Sequence, residues 1–332
     1  MTSLPCEFEL IERYFRPLAK AFPGAYGLND DAAVIAPLPD QELVAKTDAL
    51  VAGVHFLPDD PAELVARKAL RVNLSDLAAK GAAPRAYMLD LMLPSTVTEE
   101  WIAKFVYGLA QDQERYGVHL IGGDTNMTPG PLTVAVMAFG DIERGRMIRR
   151  STAARGDAVF VTGTIGDAAL GLEVLHGRAP NLGASVANVL IDRYRLPQPR
   201  VVLGRRLLGL ASAAIDVSDG LLADLRHVCE ASNVSAVIET VRVPLSAAAR
   251  AAIGADPRRI ATVLTGGDDY EILFAAPPSV AGVLAELSEE VRVPITAIGR
   301  MEAAPIGSKA QVTMLDESGK PLALRREGWT HF

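Results

Sequence analysis

The feature that most constrains the fold is a change of pattern near the middle of the chain. Residues 141–157 are polar and rich in arginine, with almost no periodicity. On either side, short apolar runs typical of strands alternate with segments of helical periodicity. The 332 residues also exceed what one hydrophobic core usually serves. We therefore predict two domains, at 1–145 and 146–332, that each mix helices and strands.

Short sequence patterns predict the helices and strands in each half of the chain. Asp60, Pro61 and Glu63 form a favourable helix start, because Asp caps free N–H groups and Pro fits the first turn. The pattern predicts helices over 7–20, 60–80, 98–117, 167–175 and 218–231. It predicts strands over 32–36, 42–47, 86–93, 118–121, 132–139, 158–162, 213–217, 270–275 and 295–299.

Composition argues against several classes of protein. The net charge of -7 disfavours a general nucleic-acid surface, which needs clustered Lys and Arg. Two cysteines, Cys6 and Cys229, cannot form a disulfide framework, and no Cys-x-x-Cys pair occurs. The first residues lack a signal-peptide core, and no apolar run approaches the roughly 20 residues of a membrane helix. We expect a cytoplasmic protein without nucleic-acid or membrane partners.

Aspartates collect at the ends of the predicted elements, where binding groups are usually found. Taken singly, each is also explained as a helix cap or a solvated turn, and Asp219 in particular suits an N-cap. Gly-Gly precedes both Asp124 and Asp268, and glycine lets a backbone approach a ligand closely. If the carboxylates converge, they need cations to offset their repulsion, and Mg²⁺ prefers such oxygen ligands together with phosphates.

Several well-known ATP-binding motifs are missing. The sequence contains no Gly-x-x-x-x-Gly-Lys-Ser/Thr loop, no His-Arg-Asp or Asp-Phe-Gly motif, and no Gly-x-Gly-x-x-Gly after a strand. If ATP binds here, metal ions rather than a glycine-rich loop must neutralise most of the phosphate charge.

The chain resembles the thiamine-monophosphate kinase family in eight motifs that follow the family order over nearly its whole length. They are NDDAAV (29–34), TDALVAGVHF (47–56), NLSDLAAKGA (73–82), IGGDT (121–125), VTGT (161–164), IDVSDG (215–220), GGDDYE (266–271) and GWTHF (328–332). Two positions depart from the family pattern. Asn29 stands where the family usually has Gly, and Asp268 stands where it often has Glu.

The resemblance implies the two-domain fold of aminoimidazole-ribonucleotide synthetase. That fold has an N-terminal α/β domain, which dimerises through its sheet, and a C-terminal α+β domain. ATP and several Mg²⁺ ions are expected in the cleft between the domains, and a monovalent cation is a further candidate. The implied reaction is phosphorylation of thiamine monophosphate by ATP, the last step towards thiamine diphosphate, in a homodimer.

The same resemblance assigns roles to individual residues. Metal ligands are expected at Asp31, Thr47, Asp48, Asp76, Asp124, Asp216 and Asp219. ATP contacts are expected at Tyr107, Gly123, Asp124, Arg150 and Ser218, and substrate contacts at His55, Asp268 and Trp329. No acid or base is expected, because a phosphate monoester with a second pKa of about 6 is already ionised at neutral pH. Direct in-line transfer, assisted by metal ions, follows.

Other interpretations stay open. Selenophosphate synthetase would need a reactive cysteine in a glycine-rich loop, which Cys6 lacks, and a hydrogenase-maturation dehydratase would end in cysteine, whereas this sequence ends in His331 and Phe332. Aminoimidazole-ribonucleotide synthetase is compatible with the fold alone. A catalytically silent nucleotide-binding protein would be free to lose metal ligands, whereas the acidic set here is complete.

Overall fold

The computed structural model describes residues 4–305, 309–324 and 328. Two compact units divide the chain. Unit 1 comprises Met1–Leu77 and Ala82–Gly145, and unit 2 comprises Ala78–Gly81 and Arg146–Phe332. Across the described ranges, every helix is too short or too polar to cross a membrane.

Unit 1 contains a four-stranded sheet and two long helices. Its strands are β1 (Gln41–Val51), β2 (Ala83–Leu93), β3 (His119–Met127) and β4 (Thr133–Glu143), and its helices are α1 (Glu7–Leu10), α2 (Arg16–Ala19), α3 (Ala62–Ala79) and α4 (Glu99–Tyr116). The strand order is β1-β4-β2-β3, in which only β2 and β3 run parallel. A π-helical turn at Ile11–Phe15 joins α1 to α2.

The two faces of this sheet differ in burial. On β4, Val134, Val136 and Ala138 are fully buried, and the residues between them are more exposed. Leu43 and Met137 lie on the opposite face, with 47% and 41% of their surfaces exposed. Since strand side chains alternate between faces, one face of the sheet is covered and the other is open and partly apolar.

A buried ion pair fixes α3 against α4. Arg71 donates from Nε to Asp112 Oδ2 at 2.6 Å and from Nη2 to Oδ1 at 2.9 Å, and both residues are fully buried. Arg67 adds a third donor to Asp112 at 3.1 Å. Such paired geometry is the arrangement in which buried charges are tolerated. The helix that carries Asp76 is thereby held in place.

Unit 2 is built on a six-stranded, mostly antiparallel sheet. Its strands are β5 (Ala158–Thr162), β6 (Ala213–Asp216), β7 (Val234–Glu239), β8 (Ile272–Ala276), β9 (Ile295–Ala303) and β10 (Val312–Leu315), in the order β10-β7-β9-β5-β8-β6. Its helices are α5 (Asp167–Leu175), α6 (Ala184–Arg195), α7 (Val201–Arg206), α8 (Leu221–Ser232), α9 (Ala247–Ala255), α10 (Arg259–Thr265) and α11 (Ala281–Val291).

Hydrophobic residues cover both faces of the central strands in unit 2. Val159 and Val161 point into one buried cluster, and Phe160 points into another. The Phe160 ring stacks on Phe274 of β8 with 5.2 Å between ring centroids. These continuous apolar strands are typical of a sheet packed on both sides, in contrast to the sheet of unit 1.

The sequence predicted some elements accurately and others not. The bounds of β5 and α5 are those predicted, whereas the strand predicted over 32–36 is absent and the segment is irregular. Its Val34 N–H donates to the Gly24 carbonyl at 2.8 Å, so the segment is hydrogen-bonded to the preceding 3-10 helix, Pro23–Leu28, rather than to a strand. Several elements were not predicted at all, namely α6, α7, α9, α10, α11, β7 and β10.

Candidate functional site

Lys46 bridges two of the acidic side chains that the sequence indicated. Asp48 lies on β1, Asp76 lies near the end of α3, and Lys46 precedes Asp48 by two residues, on the same face of the strand. The Lys46 Nζ lies 3.1 Å from Asp48 Oδ1 and 2.9 Å from Asp76 Oδ2. The fold of unit 1 therefore gathers Asp48 and Asp76 around one cation, although they are 28 positions apart in the sequence.

Burial and charge together set the ionisation of these three groups. Burial lowers the pKa of the Lys46 ammonium, but the charges of Asp76 and Asp48 more than offset this, so the pKa is raised. Burial raises the pKa of the Asp48 carboxyl; Lys46 opposes that rise and Asp76 adds to it. The lysine is therefore charged at neutral pH, and its charge is what lets two carboxylates stay close.

Other predicted residues of unit 1 take different positions. Thr47 pairs with Met137 on the open face of the sheet, so its hydroxyl points away from Lys46. His55 lies in the loop after β1, where its Nδ1 accepts a hydrogen bond from Val51 N at 3.0 Å. Tyr107 lies on α4 with 62% of its surface exposed.

A cavity of about 490 Å³ in unit 1 is lined by the motifs that contain Asp31 and Asp124. Both residues are exposed. Asp124 accepts hydrogen bonds from the Asn126 amide and, at 2.8 Å, from Thr125 N. The cavity therefore brings the NDDAAV and IGGDT motifs together in space. Its apolar lining includes Phe8, Ile11, Phe15, Leu28 and Met88.

Gly123 lies on β3 directly opposite Leu89 of β2. Its φ is +145°, a value that side-chain-bearing residues rarely adopt. A Cβ at this position would lie 1.8 Å from the Leu89 carbonyl oxygen. The glycine is therefore required by backbone packing directly beside Asp124.

In unit 2, a buried aspartate shapes the loop that carries Asp216, Ser218 and Asp219. Asp224 Oδ2 accepts backbone N–H bonds from Ser218 and Asp219, both at 3.0 Å, and from Gly220 at 3.1 Å. Burial raises the pKa of Asp224 well above its usual value, and the charges of Asp216 and Asp219 add to this. Three convergent N–H groups fix the turn between β6 and α8.

The GGDDYE motif lies directly against this turn. Asp268 N donates to the Ser218 carbonyl at 2.9 Å, and Tyr270 N donates to the Val217 carbonyl at 2.8 Å. A Cβ on Gly267 would lie 2.0 Å from the Ser218 carbonyl oxygen, so only glycine permits this approach. The structure thus brings Asp216, Ser218, Asp219 and Asp268 to one end of the unit 2 sheet.

Two buried acids anchor the end of the same motif. Asp269 Oδ2 accepts from Gly166 N at 2.8 Å, and Asp269 Oδ1 has no hydrogen-bond partner among the residues that the structure describes. Glu271 is fully buried and accepts from Arg193 at 3.0 Å and from Arg200 Nε at 2.6 Å. The loop that presents Asp268 is therefore tied both to α5 and to two arginines.

The remaining predicted residues are less informative. Arg150 is exposed, and its carbonyl accepts a hydrogen bond from Ser232 Oγ at 2.9 Å. Trp329 lies outside the described residues. Gly328 is described and packs beside Ala223 and the Asp219 carbonyl.

Sequence reasoning missed Lys46 and Asp224, and both had a signal in the sequence. Lys46 precedes Asp48 by two residues, and in a strand that spacing places both side chains on one face. Asp224 follows Gly220 by four residues at the predicted start of a helix, where an acid favours the free N–H groups. The partner Asp76 could not be identified in this way, because it comes from a distant helix.

The carboxylate oxygens of Asp48 and Asp76 in unit 1 suit magnesium. Within the described ranges, no group of three His, Cys, Asp or Glu side chains is placed to hold one ion. Asp48 and Asp76 nevertheless already share a cation, the Lys46 ammonium. Mg²⁺ is commonly bound by one or two carboxylates and completes its shell with water and substrate phosphates. The residues present therefore fit this ion.

Comparison with known proteins decides the family. The models of the AIR synthase related protein N-terminal and C-terminal domains match residues 29–142 and 154–309. Thiamine-monophosphate kinase from Escherichia coli (strain K12) is 42% identical over 328 residues, 98% of each chain. This chain belongs to the thiamine-monophosphate kinase family. The resemblance carried by the eight motifs is thereby confirmed.

Solved structures of this family share the fold. Thiamine-monophosphate kinase from Stenotrophomonas maltophilia K279a is 39% identical, with a TM-score of 0.83 over 97% of this chain and 99% of that chain. AaThiL complexed with AMPPCP and TMP is 30% identical, with a TM-score of 0.76 over 93% of this chain and 97% of that chain. The predicted two-domain fold class of the thiamine-monophosphate kinases is confirmed.

Proposed function

We propose that this chain transfers the γ-phosphate of ATP to thiamine monophosphate, forming thiamine diphosphate and ADP. Full-length identity of 42% to a thiamine-monophosphate kinase supports the reaction. The observation that carries the proposal is the structural likeness to AaThiL complexed with AMPPCP and TMP. A catalytically silent binding protein is not favoured, because both units retain their acidic motifs intact.

The acidic side chains of both units are proposed to hold magnesium. When bound, Mg²⁺ would neutralise phosphate charge and align the donor with the acceptor. The side chains expected to hold it are Asp31, Asp48, Asp76, Asp124, Asp216 and Asp219. Thr47 points its hydroxyl to the open face of the sheet, so we expect it to contribute through its main-chain carbonyl oxygen.

Protein groups bind and orient the two substrates in this proposal, and none removes a proton. His55 accepts a hydrogen bond at Nδ1, so in the neutral ring the proton lies on Nε2 and the ring acts as a donor. A donor suits contact with an anionic substrate, and Asp268 is the second residue proposed to contact it. Contacts with ATP are proposed for Tyr107, Gly123, Asp124, Arg150 and Ser218.

Assembly and location remain predictions of the family resemblance. A homodimer formed through the unit 1 sheet is supported by the open, partly apolar face that bears Leu43 and Met137. Cytoplasmic location and the use of a monovalent cation are proposed from the family resemblance alone.

Product identification tests the proposal directly. The full chain would be incubated with Mg-ATP and, in separate reactions, with thiamine monophosphate, thiamine or other phosphorylated acceptors, and the products separated by chromatography. We expect thiamine diphosphate and equimolar ADP from thiamine monophosphate only. ATP binding without turnover, or phosphorylation of free thiamine in its place, would contradict the proposal.

A further inference from the structure

Lys46 occupies an unusual place for a cation in a site that must receive cations. Its side chain lies between β1 and α3 with 30% exposed, and its Nζ contacts one oxygen each of Asp48 and Asp76. Since each oxygen is within 3.1 Å of Nζ, the two are at most about 6 Å apart. At that separation two carboxylates repel unless a cation lies between them.

The Lys46 ammonium and a magnesium ion would compete for these two carboxylate oxygens. A lysine ammonium has three donors and no acceptor, so it cannot itself be a metal ligand while it is charged. It is charged at neutral pH, because a lysine ammonium ordinarily titrates far above pH 7. An ion that binds the two oxygens in contact with Lys46, Asp48 Oδ1 and Asp76 Oδ2, must therefore displace the ammonium from them.

We propose that Lys46 is an internal counter-ion, which neutralises Asp48 and Asp76 in the metal-free protein and competes with magnesium for them. The inference rests on the proposed function only in taking these carboxylates as metal ligands. Two consequences follow. The metal-free protein keeps its acidic pair without strain, and free Mg²⁺ binds weakly until the phosphates of ATP supply further ligands and a new partner for the ammonium.

The test measures metal binding in the absence of nucleotide. Mn²⁺ would be titrated into the full-length protein and free Mn²⁺ followed by electron paramagnetic resonance. The variants are Lys46→Met, which keeps most of the length of the side chain without the charge, and Lys46→Arg, which keeps the charge. The control is Lys104→Met, which removes a lysine that also pairs with a carboxylate, Glu100, on an exposed face of α4.

We expect Lys46→Met to bind Mn²⁺ roughly tenfold more tightly than the unmodified protein, because one positive charge is removed from a half-buried pair. Lys46→Arg and Lys104→Met should stay within about twofold of the unmodified protein. In EDTA, Lys46→Met should also melt at a lower temperature, and Mn²⁺ should restore its stability. Equal Mn²⁺ affinity in Lys46→Met and Lys104→Met would overturn the proposal.

A double-mutant cycle distinguishes direct competition for the carboxylates from indirect effects of the Lys46 substitution. When Asp76→Asn removes one carboxylate, Lys46→Met should no longer increase the affinity for Mn²⁺, because the competition involves that pair. An undiminished gain in this background would contradict the mechanism. If Lys46→Met does not fold, Lys46→Gln, which keeps a polar end without the charge, replaces it in the same cycle.

Two further outcomes separate this inference from the proposed function. If the unmodified protein forms thiamine diphosphate but Lys46→Met leaves Mn²⁺ affinity unchanged and only weakens ATP binding, the counter-ion role is wrong and the kinase assignment stands. If no thiamine diphosphate forms but Mn²⁺ affinity rises in Lys46→Met, the counter-ion role stands and the kinase assignment fails.

Discussion

The two units hold their acidic residues close by different physical means. In unit 1, Asp48 and Asp76 come from a strand and a helix and are bridged by the charge of Lys46. In unit 2, the Asp216–Asp219 turn is shaped by backbone N–H groups that converge on Asp224. The first arrangement depends on a side chain that can move, and the second on the main chain itself.

This difference predicts how each unit responds to change. A bridging side chain can leave when a metal or phosphate arrives, so unit 1 can exchange one cation for another without refolding. A turn held by three main-chain bonds keeps its shape whether or not a ligand is present. We therefore regard the unit 1 pair as adjustable and the unit 2 turn as preorganised.

The largest expected effect is on turnover, and it should be shared by both units. Asp48→Asn and Asp216→Asn each remove a proposed metal ligand, so kcat should fall roughly 100-fold or more in both. Steady-state ADP release with thiamine monophosphate measures this. Asp59→Asn, at an exposed turn position, is the control and should remain active. Near-normal activity in either site variant would remove that residue from the metal set.

The next largest effect is on the free energy of unfolding, which should fall more for variants of the unit 2 turn than for variants of the unit 1 pair. Asp224→Ala leaves three N–H groups without their acceptor and should lower the free energy of unfolding by about 3 kcal/mol. Asp224→Asn keeps an acceptor oxygen and should cost less than about 1 kcal/mol, because burial already disfavours the charge of Asp224. Urea unfolding measures both.

The corresponding change in unit 1 is Lys46→Met in the presence of Mn²⁺. It should cost less than about 1 kcal/mol, since part-exposed ion pairs contribute little to stability. An equal loss of stability in Lys46→Met and Asp224→Ala would contradict the distinction between an adjustable pair and a preorganised turn.

Backbone packing provides a matched test of both units. Alanine at Gly123 or Gly267 would place a Cβ within 2.0 Å of a carbonyl oxygen, so each should destabilise the protein by about 2 kcal/mol in thermal unfolding. The control is Gly282→Ala in α11, where the added Cβ would meet no described atom within 4 Å outside its own chain neighbours and helix backbone and alanine favours the helix. If Gly267→Ala were as harmless as this control, the two loops of unit 2 could not be as closely packed as described.

The sequence predicted the helix and strand pattern best where one signal dominates. Strand β5, which is apolar except for Thr162, and the helix from Asp167 to Leu175 have the bounds expected from the sequence pattern. The segment 32–36 was predicted as a strand from its apolar residues alone, but a hydrogen bond to Gly24 holds it as a loop. Apolar content alone does not distinguish a strand from a loop that packs its apolar side chains.

For the site, the sequence identified which residues matter but not how they are held. Motif order pointed to Asp48, Asp76 and Asp219, yet neither Lys46 nor Asp224 was recognised. Strand alternation would have placed Lys46 beside Asp48, but its contact with Asp76 depends on how α3 packs against the sheet. The role of Asp224 depends on the path of the main chain between β6 and α8, which a pattern of residue types does not specify.

The smallest expected effect is on the pH dependence of stability. It contrasts Asp269, whose carboxyl group accepts a backbone hydrogen bond, with Asp256, whose carboxylate pairs with Arg258. Burial raises the pKa of Asp269 well above its usual value, so the folded state binds its proton more tightly than the unfolded chain does. Its contribution to stability is therefore present at low pH and is lost as pH rises through the folded-state pKa. Asp256 is the opposite case, because Arg258 lowers its pKa to about 2, and its contribution is lost as pH falls towards 2.

Urea unfolding of Asp269→Asn and Asp256→Asn across pH separates the two cases. Asp269→Asn keeps an acceptor for Gly166 N and cannot ionise, so its stability relative to the unmodified protein should increase with rising pH, by about 1 kcal/mol. Asp256→Asn should gain relative to the unmodified protein as pH falls instead. Parallel pH profiles for the two variants would show that burial does not control Asp269. Opposite slopes of stability against pH would show that the same distinction holds outside the site. In unit 2, a carboxylate paired with a counter-charge and a carboxyl group hydrogen-bonded by the backbone would then respond differently to pH.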